Sequence, residues 1–482
     1  MCIVKNSSTD CASDAREISI EEVAKHGTYS DCWIVIENKV YDISDYISEH
    51  PGGMLILSAA GSDATVMFEH YHVGASYKKS RALLDKRCVG TLVGRRSPSV
   101  GKFYTTLRDR VGEAIKDLPK HPLHSVFMLF FDVISLLCCT VFGIYLSRQE
   151  TIHPLPLFLA AFLTQIFSTR VAGHSHAVGH MQVFGKTLAP IFEVVLLVMG
   201  SRSMPGYAFP NKNIQYRKQM NEPRSVCQYE YKLRGPFEHQ AIHHVRGASL
   251  EHDGCKEAAT VMGNLRLCST DPIRPMNYIQ QYFIPRNIIC AGWYLVTDVL
   301  FWGVKLNYMK DMVRWGQFDR VFFSLIGLMY DWTVVYVTTI QPLTRNIAVF
   351  LVLRLCLHFC HLFLLFYAQH YWDSNLSEET AESEWGKHNA ETSVSLWGET
   401  MQWHPLLLGF GGTCPATLTY HLEHSLFPGI NYLHLPVVAR VTKQTCEEFG
   451  VTYHHLKDYS DLNRAFVNNA KRCAAVQSLK RD

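Results

Sequence analysis

Three short histidine clusters stand at the ends of apolar stretches of this 482-residue chain. Neutral imidazole is the commonest protein ligand for a transition metal. Histidines four positions apart on a helix project from one face, so a pair in each of the first two clusters can point at one centre. One such pair is more often an interfacial polar group, but three clusters together favour a metal site. The cluster histidines are His174, His176, His180, His239, His243, His244, His421 and His424.

A separate pair of histidines near the N-terminus suits a haem. His50 precedes a Pro-Gly-Gly turn, which would let a flat ligand approach the backbone closely. A helix that begins at Asp63 or Thr65 would lead to His72. Two histidines that face one apolar slot fill both axial positions of a haem iron and leave it with electron transfer. His70 is the competing second ligand, because it lies on another side of the same helix and only one of the two can face the haem.

The composition divides the chain into a polar N-terminal part and a long apolar middle. Hydrophobic residues make up 48% of the chain, and the net charge of +3 is too small to indicate a nucleic-acid partner. The 15 cysteines show no paired framework, which predicts reduced thiols and a cytosol-facing soluble portion. Residues 1–16 are polar and are expected to form a disordered tail rather than a signal peptide.

Residues 17–93 have the pattern of a small α+β domain. The stretch from Trp33 to Asp42 predicts a hairpin with Asn38 and Lys39 at its turn. The His-Pro-Gly-Gly sequence at His50, with this hairpin and the later Asp-Ala-Thr, resembles the cytochrome b5 family. The resemblance implies a haem b held by His50 and His72.

A linker follows the haem-binding domain. The polar, breaker-rich residues 94–102 mark a domain boundary. Residues 103–120 are predicted to form a basic amphipathic helix on the membrane surface, with a solvated helix as the alternative. Such a tether raises the effective concentration of the haem domain at its partner site.

Four apolar segments are predicted to cross a membrane, in an all-α multi-pass domain. Residues 278–304 are interrupted by Pro285, Arg286 and Asp298 and are predicted to form a half-inserted or interfacial helix, because the three clusters must share one side to form one site. The Lys and Arg distribution favours a cytosolic N-terminus. The predicted spans are residues 126–146, 155–173, 321–340 and 346–368.

The C-terminal part contains the third cluster. His370 lies at the cytosolic end of the last predicted span, either within reach of the metal or as an interface anchor. Residues 373–399 are acidic and polar and predict a surface loop. Residues 452–482 are predicted to form a cytosolic tail.

Residues 121–451 resemble the membrane fatty acid desaturases. The fused haem domain and the sequence Glu-His-Ser-Leu-Phe-Pro-Gly from Glu423 indicate the front-end branch, which includes acyl Δ5, Δ6 and Δ8 and sphingolipid Δ8 desaturases. The resemblance implies two non-haem irons. Their implied ligands are His176, His180, His239, His243, His244 and His424, with His370 as a further ligand.

The clusters depart from the family pattern at several positions. Ala177 replaces an Asp of the first box, and Ala248 replaces an Asn after the second. The third box usually reads Gln-x-x-His-His, and here His421 replaces the Gln and Ser425 replaces the last histidine. A serine hydroxyl is a poor substitute for imidazole on iron. His421 restores a histidine found in other desaturases and is included among the candidate ligands.

The resemblance implies a front-end acyl desaturase that uses O2 and electrons delivered from a cytochrome b5 reductase through the fused haem. Breaking an unactivated C–H bond needs a metal–oxygen species. The expected acyl carrier is CoA, a phospholipid or a sphingolipid. The expected location is the endoplasmic reticulum membrane, with the haem domain and the histidine clusters facing the cytosol. A hydroxylase or acetylenase on the same scaffold is an alternative, as is an electron-transfer membrane protein with a degraded iron site.

Overall fold

The computed structural model describes most of the N-terminal third of the chain and parts of the remainder. The described ranges are 16–52, 56–57, 59–119, 122–180, 318–339, 384–396 and 419–458, with scattered single positions that include His244 and Phe350. The predictions made at His239, His243, His370, residues 278–304 and most of residues 346–368 lie outside the described residues.

The described residues of the N-terminal domain, predicted to bind haem, form a five-stranded sheet and three short helices. The sheet order is β1-β5-β3-β2-β4, and β2 pairs with β3 as the predicted hairpin. The turn is formed by Glu37 and Asn38, both with positive φ, so the predicted turn was placed one residue too late. The strands are β1 Glu17–Ser19, β2 Trp33–Ile36, β3 Lys39–Asp42, β4 Ser62–Asp63 and β5 Cys88–Val93, and the helices are α1 Ile20–Val23, α2 Thr65–Tyr71 and α3 Ala75–Asp85.

Helix α2 begins where the sequence indicated. The carboxylate of Asp63 accepts a hydrogen bond from the Thr65 backbone N–H at 3.0 Å, which satisfies one of the first free donors of the helix. The Thr65 hydroxyl in turn accepts from the Glu37 backbone N–H at 2.9 Å. The β2–β3 turn therefore holds the start of α2, and His72 follows directly after its end.

Helix α4, Gly101–Ile115, is amphipathic but does not lie on a membrane surface along its apolar face. Phe103, Tyr104, Leu107 and Val111 recur at helical spacing and are buried. They pack in one core with residues from the haem domain and the C-terminal part of the chain. The prediction of a surface helix was wrong for this face, because protein rather than lipid covers it. The other members of that core include Val66, Trp385, Leu422, Phe427 and Val438.

Two long helices form an antiparallel pair. Helix α5, Pro122–Ser147, packs against α6, Pro154–Gly179. The segment Leu123–Ser147 is the one described helix long and apolar enough to cross a membrane, and Pro154–Ser168 is a shorter apolar segment. Phe127 and Val141 are among the large apolar side chains exposed on α5. A third long helix, α7, spans Phe318–Thr339.

The C-terminal elements include two that the sequence did not predict. Helix α8, Trp385–Thr392, and strand β6, Ser395–Leu396, are largely buried, so this part of the predicted surface loop is wrong. Apolar side chains at Trp385, Val394 and Leu396 account for the burial. Strand β7, His455–Leu456, pairs in parallel with β6, so the predicted tail begins as part of the fold. The remaining helices are α9 His421–Leu426 and α10 Leu435–Phe449.

Candidate metal centres

The haem-domain histidines face each other across a gap that fits a haem iron. The ring centres of His50 and His72 are 6.3 Å apart. Imidazole nitrogen lies about 2 Å from a bound transition metal, so two axial rings place their centres about 6 Å apart. A Cβ added at Gly52 would lie 2.8 Å from Cε1 of His50, so a larger residue there would collide with this ring. The His72 Nδ1–H donates to the Phe68 carbonyl at 2.8 Å, which orients the ring and leaves Nε2 for the metal.

His70, the competing candidate, faces away from this gap. Its Nε2–H donates to the backbone carbonyl of Ser425 at 2.6 Å, and its side chain is fully buried. Burial lowers the pKa of His70 to about 3, so the ring is neutral and acts as a donor. The geometry therefore favours His72 as the partner of His50 and gives His70 another role.

Four histidines from the three clusters converge on a second centre. Their nitrogen donors all lie within 4.8 Å of one another. Donors that share one ion lie within about 4 Å of each other, because each metal–imidazole bond is about 2 Å. Small rotations of these side chains would therefore bring the donors to one ion. The group, here called the iron group, consists of His176, His180, His244 and His424.

Helices α5 and α6 position the first pair of this group. His176 lies in the last turn of α6, and His180 is the residue that caps it. On the same helix, Arg170 Nε and His174 Nε2 bind the two carboxylate oxygens of Asp132 at 2.7 and 2.8 Å. Asp132 belongs to α5, so this buried ion pair fixes α6 against α5 just before the iron group.

The third cluster is held from the opposite side. Glu423, beside His424 on α9, is fully buried and accepts hydrogen bonds from Ser395 Oγ at 2.6 Å and Tyr453 Oη at 2.7 Å. Burial raises the pKa of Glu423. Its contacts connect α9 to β6 and to the residues just before β7, and so orient His424.

Comparisons with known proteins identify two domains in this chain. A model of the cytochrome b5-like haem/steroid binding domain matches residues 19–93, and a fatty acid desaturase model matches residues 236–457. The Δ(8)-fatty-acid desaturase of Borago officinalis is 24% identical over 476 residues, which covers 96% of this chain and 94% of the relative. The Δ(5) fatty acid desaturase A of Dictyostelium discoideum is 32% identical over 157 residues, about a third of each chain.

This chain belongs to the front-end fatty acid desaturases with a fused cytochrome b5 domain. Among solved structures, cytochrome b558 of Ectothiorhodospira vacuolata, titled a prokaryotic homologue of cytochrome b5, is 34% identical to part of the desaturase. The match covers 16% of this chain and 99% of that chain, with a TM-score of 0.15.

The desaturase is therefore an oxidoreductase that uses haem b and two non-haem irons. The haem supplies single electrons, and the irons supply the oxygen chemistry that removes two hydrogens from an acyl chain. The residues of the chain orient these groups: His50 and His72 face one slot, and the iron group forms the other centre. Asp132 and Glu423 hold the helices that carry the iron group.

Not every predicted ligand joins the iron group. His421 is buried on α9 but lies outside the group among the described residues. Ser425, the departure from the family pattern, directs its hydroxyl to Asn389 Oδ1 at 2.9 Å.

The roles of Asp132 and His70 were missed by sequence reasoning. The signal for Asp132 was present, since an acidic residue in an apolar span usually has a buried partner.

Proposed function

We propose that this front-end desaturase introduces a double bond at the Δ5 or Δ8 position of an acyl chain carried by CoA, a phospholipid or a sphingolipid. Relatives named as Δ(5) and Δ(8) desaturases support these two positions. The observation that best supports a desaturase is the iron group, because each of the three separated clusters contributes at least one histidine to it. The alternative of an electron-transfer protein with a degraded iron site does not require these four side chains to lie together.

The proposal assigns the metal ligands by centre. His50 and His72 bind the haem, supported by their facing rings. His176, His180, His244 and His424 bind one iron, supported by the spacing of their donors. The second iron is assigned to the remaining candidates on the strength of the family resemblance. Those candidates are His239, His243, His370 and His421.

The proposal also places the enzyme in the endoplasmic reticulum membrane as a four-span protein, with both metal centres facing the cytosol. A cytochrome b5 reductase is the proposed source of electrons. The apolar α5 and the α6 that returns beside it supply the first two spans. The alternative is a hydroxylase or acetylenase on the same scaffold, which the altered third cluster suggested, and the hydrogen bond from Ser425 to Asn389 leaves it open.

The test is the fatty acid profile of yeast that expresses the full chain and is fed a panel of unsaturated acids. Gas chromatography–mass spectrometry should show a product two hydrogens lighter than one fed acid, with the new double bond at Δ5 or Δ8. A His424→Ala variant should retain the haem absorption bands and lose both iron and product. A product that is heavier by one oxygen would indicate a hydroxylase. Haem without iron or product would indicate an electron-transfer protein.

A further inference from the structure

One short helix of the haem domain touches both metal centres. His72, directly after α2, faces His50. His70, inside α2, is fully buried and bonds the backbone carbonyl of Ser425 at 2.6 Å. Ser425 follows His424 of the iron group in sequence. The haem ligand and the neighbour of an iron ligand are therefore joined through two residues of chain and one hydrogen bond.

The carbonyl of Ser425 is a natural acceptor for a residue from another element. Helix α9 ends at Leu426, and the last carbonyl groups of a helix have no partner within it. The Ser425 side chain is turned toward Asn389 on α8. His70 thus supplies a donor to a carbonyl at the end of α9.

Aromatic rings close around this hydrogen bond. The ring centre of His70 lies 5.0 Å from that of Trp385 and 5.9 Å from that of His244, a member of the iron group. Trp385 is also buried. His70 therefore approaches the iron group at two places, through Ser425 and beside His244.

Helix α4 joins α2 and α9 a second time. The Tyr104 hydroxyl lies 3.3 Å from the carbonyl oxygen of Glu69 on α2 and 3.1 Å from that of Leu426 on α9. Arg108, also on α4, forms a buried ion pair with the Glu69 carboxylate. The haem domain is thus packed onto the desaturase body through buried polar contacts, beyond its covalent tether.

We propose that His70 is a positioning residue that docks the haem domain on the iron group and so controls the rate of electron transfer between the two centres. This proposal rests on the proposed function. Each double bond requires two one-electron transfers, in each of which the haem is oxidised from ferrous to ferric and the iron site is reduced by one electron. These two electrons, two protons and the two hydrogens removed from the acyl chain convert one O2 into two waters. A reductase or another one-electron donor restores the ferrous haem.

The test compares His70→Leu, which removes the donor, with His70→Gln, whose amide nitrogen can still donate. Purified full-length enzyme with reduced haem is mixed with O2 and the acyl substrate found in yeast, and haem oxidation is followed by stopped-flow absorption. We expect the Leu variant to oxidise its haem about ten-fold more slowly, the effect of losing one buried hydrogen bond, and the Gln variant to stay within about two-fold of wild type. The absorption spectrum and midpoint potential of the haem should be unchanged in both.

A second readout needs no turnover. Trypsin can cleave after Arg95 or Arg96, which are exposed between β5 and α4. After cleavage, the haem fragment should remain bound to wild type and to the Gln variant in gel filtration, and dissociate from the Leu variant. Equal haem oxidation rates in wild type and the Leu variant, with equal retention of the fragment, would overturn the role of His70. Failure of the wild-type haem to be oxidised by O2 and substrate would instead contradict the proposed function.

Discussion

At the scale of single residues, His70 and His72 lie two positions apart but have different proposed roles, one in docking the haem domain and the other in binding the haem. Successive residues of a helix point in directions about 100° apart, so residues two positions apart face different neighbours. His72 lies beside Phe68 and faces His50, whereas His70 bonds the carbonyl of Ser425. Substitutions at the two positions should therefore have separable effects.

Replacing His72 tests this separation on the haem itself. His72→Ala should remove one axial ligand and convert the absorption spectrum from that of a haem with two histidine ligands to that of a five-coordinate haem, or lose the haem. His70→Leu should keep the wild-type spectrum, because its ring points away from His50. Absorption spectra of the oxidised and reduced purified proteins check both. A normal spectrum in His72→Ala combined with a changed one in His70→Leu would reverse the assignment.

Asp132 is the second residue with a specific consequence. Its carboxylate binds Arg170 and His174 in a buried site, and breaking a buried ion pair by removing one partner costs about 3–5 kcal/mol. Asp132→Leu should therefore loosen α6 and reduce the iron content of the purified protein, measured by plasma mass spectrometry. Asp132→Asn, which keeps one acceptor oxygen, should lose less iron. The matched control is Ile134→Leu on the exposed side of α5, which should retain wild-type iron.

At the scale of elements, α4 is the helix that unites the two domains. It packs against α10, α8 and the haem domain in one shared core. Its Gly112 lies against Gly74, the residue before α3, so closely that a Cβ at Gly112 would be 2.7 Å from the Gly74 Cα. The buried ion pair between Glu69 and Arg108 adds to the contact of α4 with the haem domain, although burial raises the pKa of Glu69.

A side chain at Gly112 should separate these elements. Gly112→Leu would collide with the backbone at Gly74, which cannot rotate away as a flexible side chain can. We expect faster amide hydrogen exchange in α3 and α4 and a haem domain that trypsin releases more readily. Glu113→Ala, the next residue on α4 and an exposed one, is the control and should exchange as wild type does. Unchanged exchange in Gly112→Leu would mean that α3 and α4 are not in contact in solution.

Local features of these elements were predictable from sequence, and long-range contacts were not. Asp63 and Thr65 mark the start of α2 because a helix start depends on neighbouring residues. The histidines of the iron group stood out as metal-ligand types at helical spacing. By contrast, His70 and Ser425 are 355 positions apart, and nothing near either residue specifies the other. The buried face of α4 was recognised as apolar, but its pattern is the same whether lipid or protein covers it.

At the scale of the whole molecule, the contacts place the haem domain beside the third cluster, so the proposed topology must put both on the same side of the membrane. His434, just before α10, lies 3.0 Å through Nε2 from the carbonyl oxygen of Pro119, just before α5. Helix α6 runs back beside α5 and brings His176 and His180 toward that same end. The iron group thus lies near the start of α5, the haem domain contacts the third cluster through His70, and the short connection of residues 148–153 lies at the far end of α5.

This arrangement predicts which positions of the chain can be N-glycosylated. A flexible insertion with an Asn-Ser-Thr acceptor between Gln149 and Glu150 should be glycosylated when α5 and α6 cross the endoplasmic reticulum membrane, and endoglycosidase should remove the added mass. The natural acceptor sequences at Asn6 and Asn375 should remain unmodified, since both belong to the predicted cytosolic side. Glycosylation at Asn6 without modification of the insertion would show that the orientation is the reverse of the predicted one. Because His70 contacts Ser425 directly, an orientation that put the haem domain and the third cluster on opposite sides would also contradict the docked arrangement.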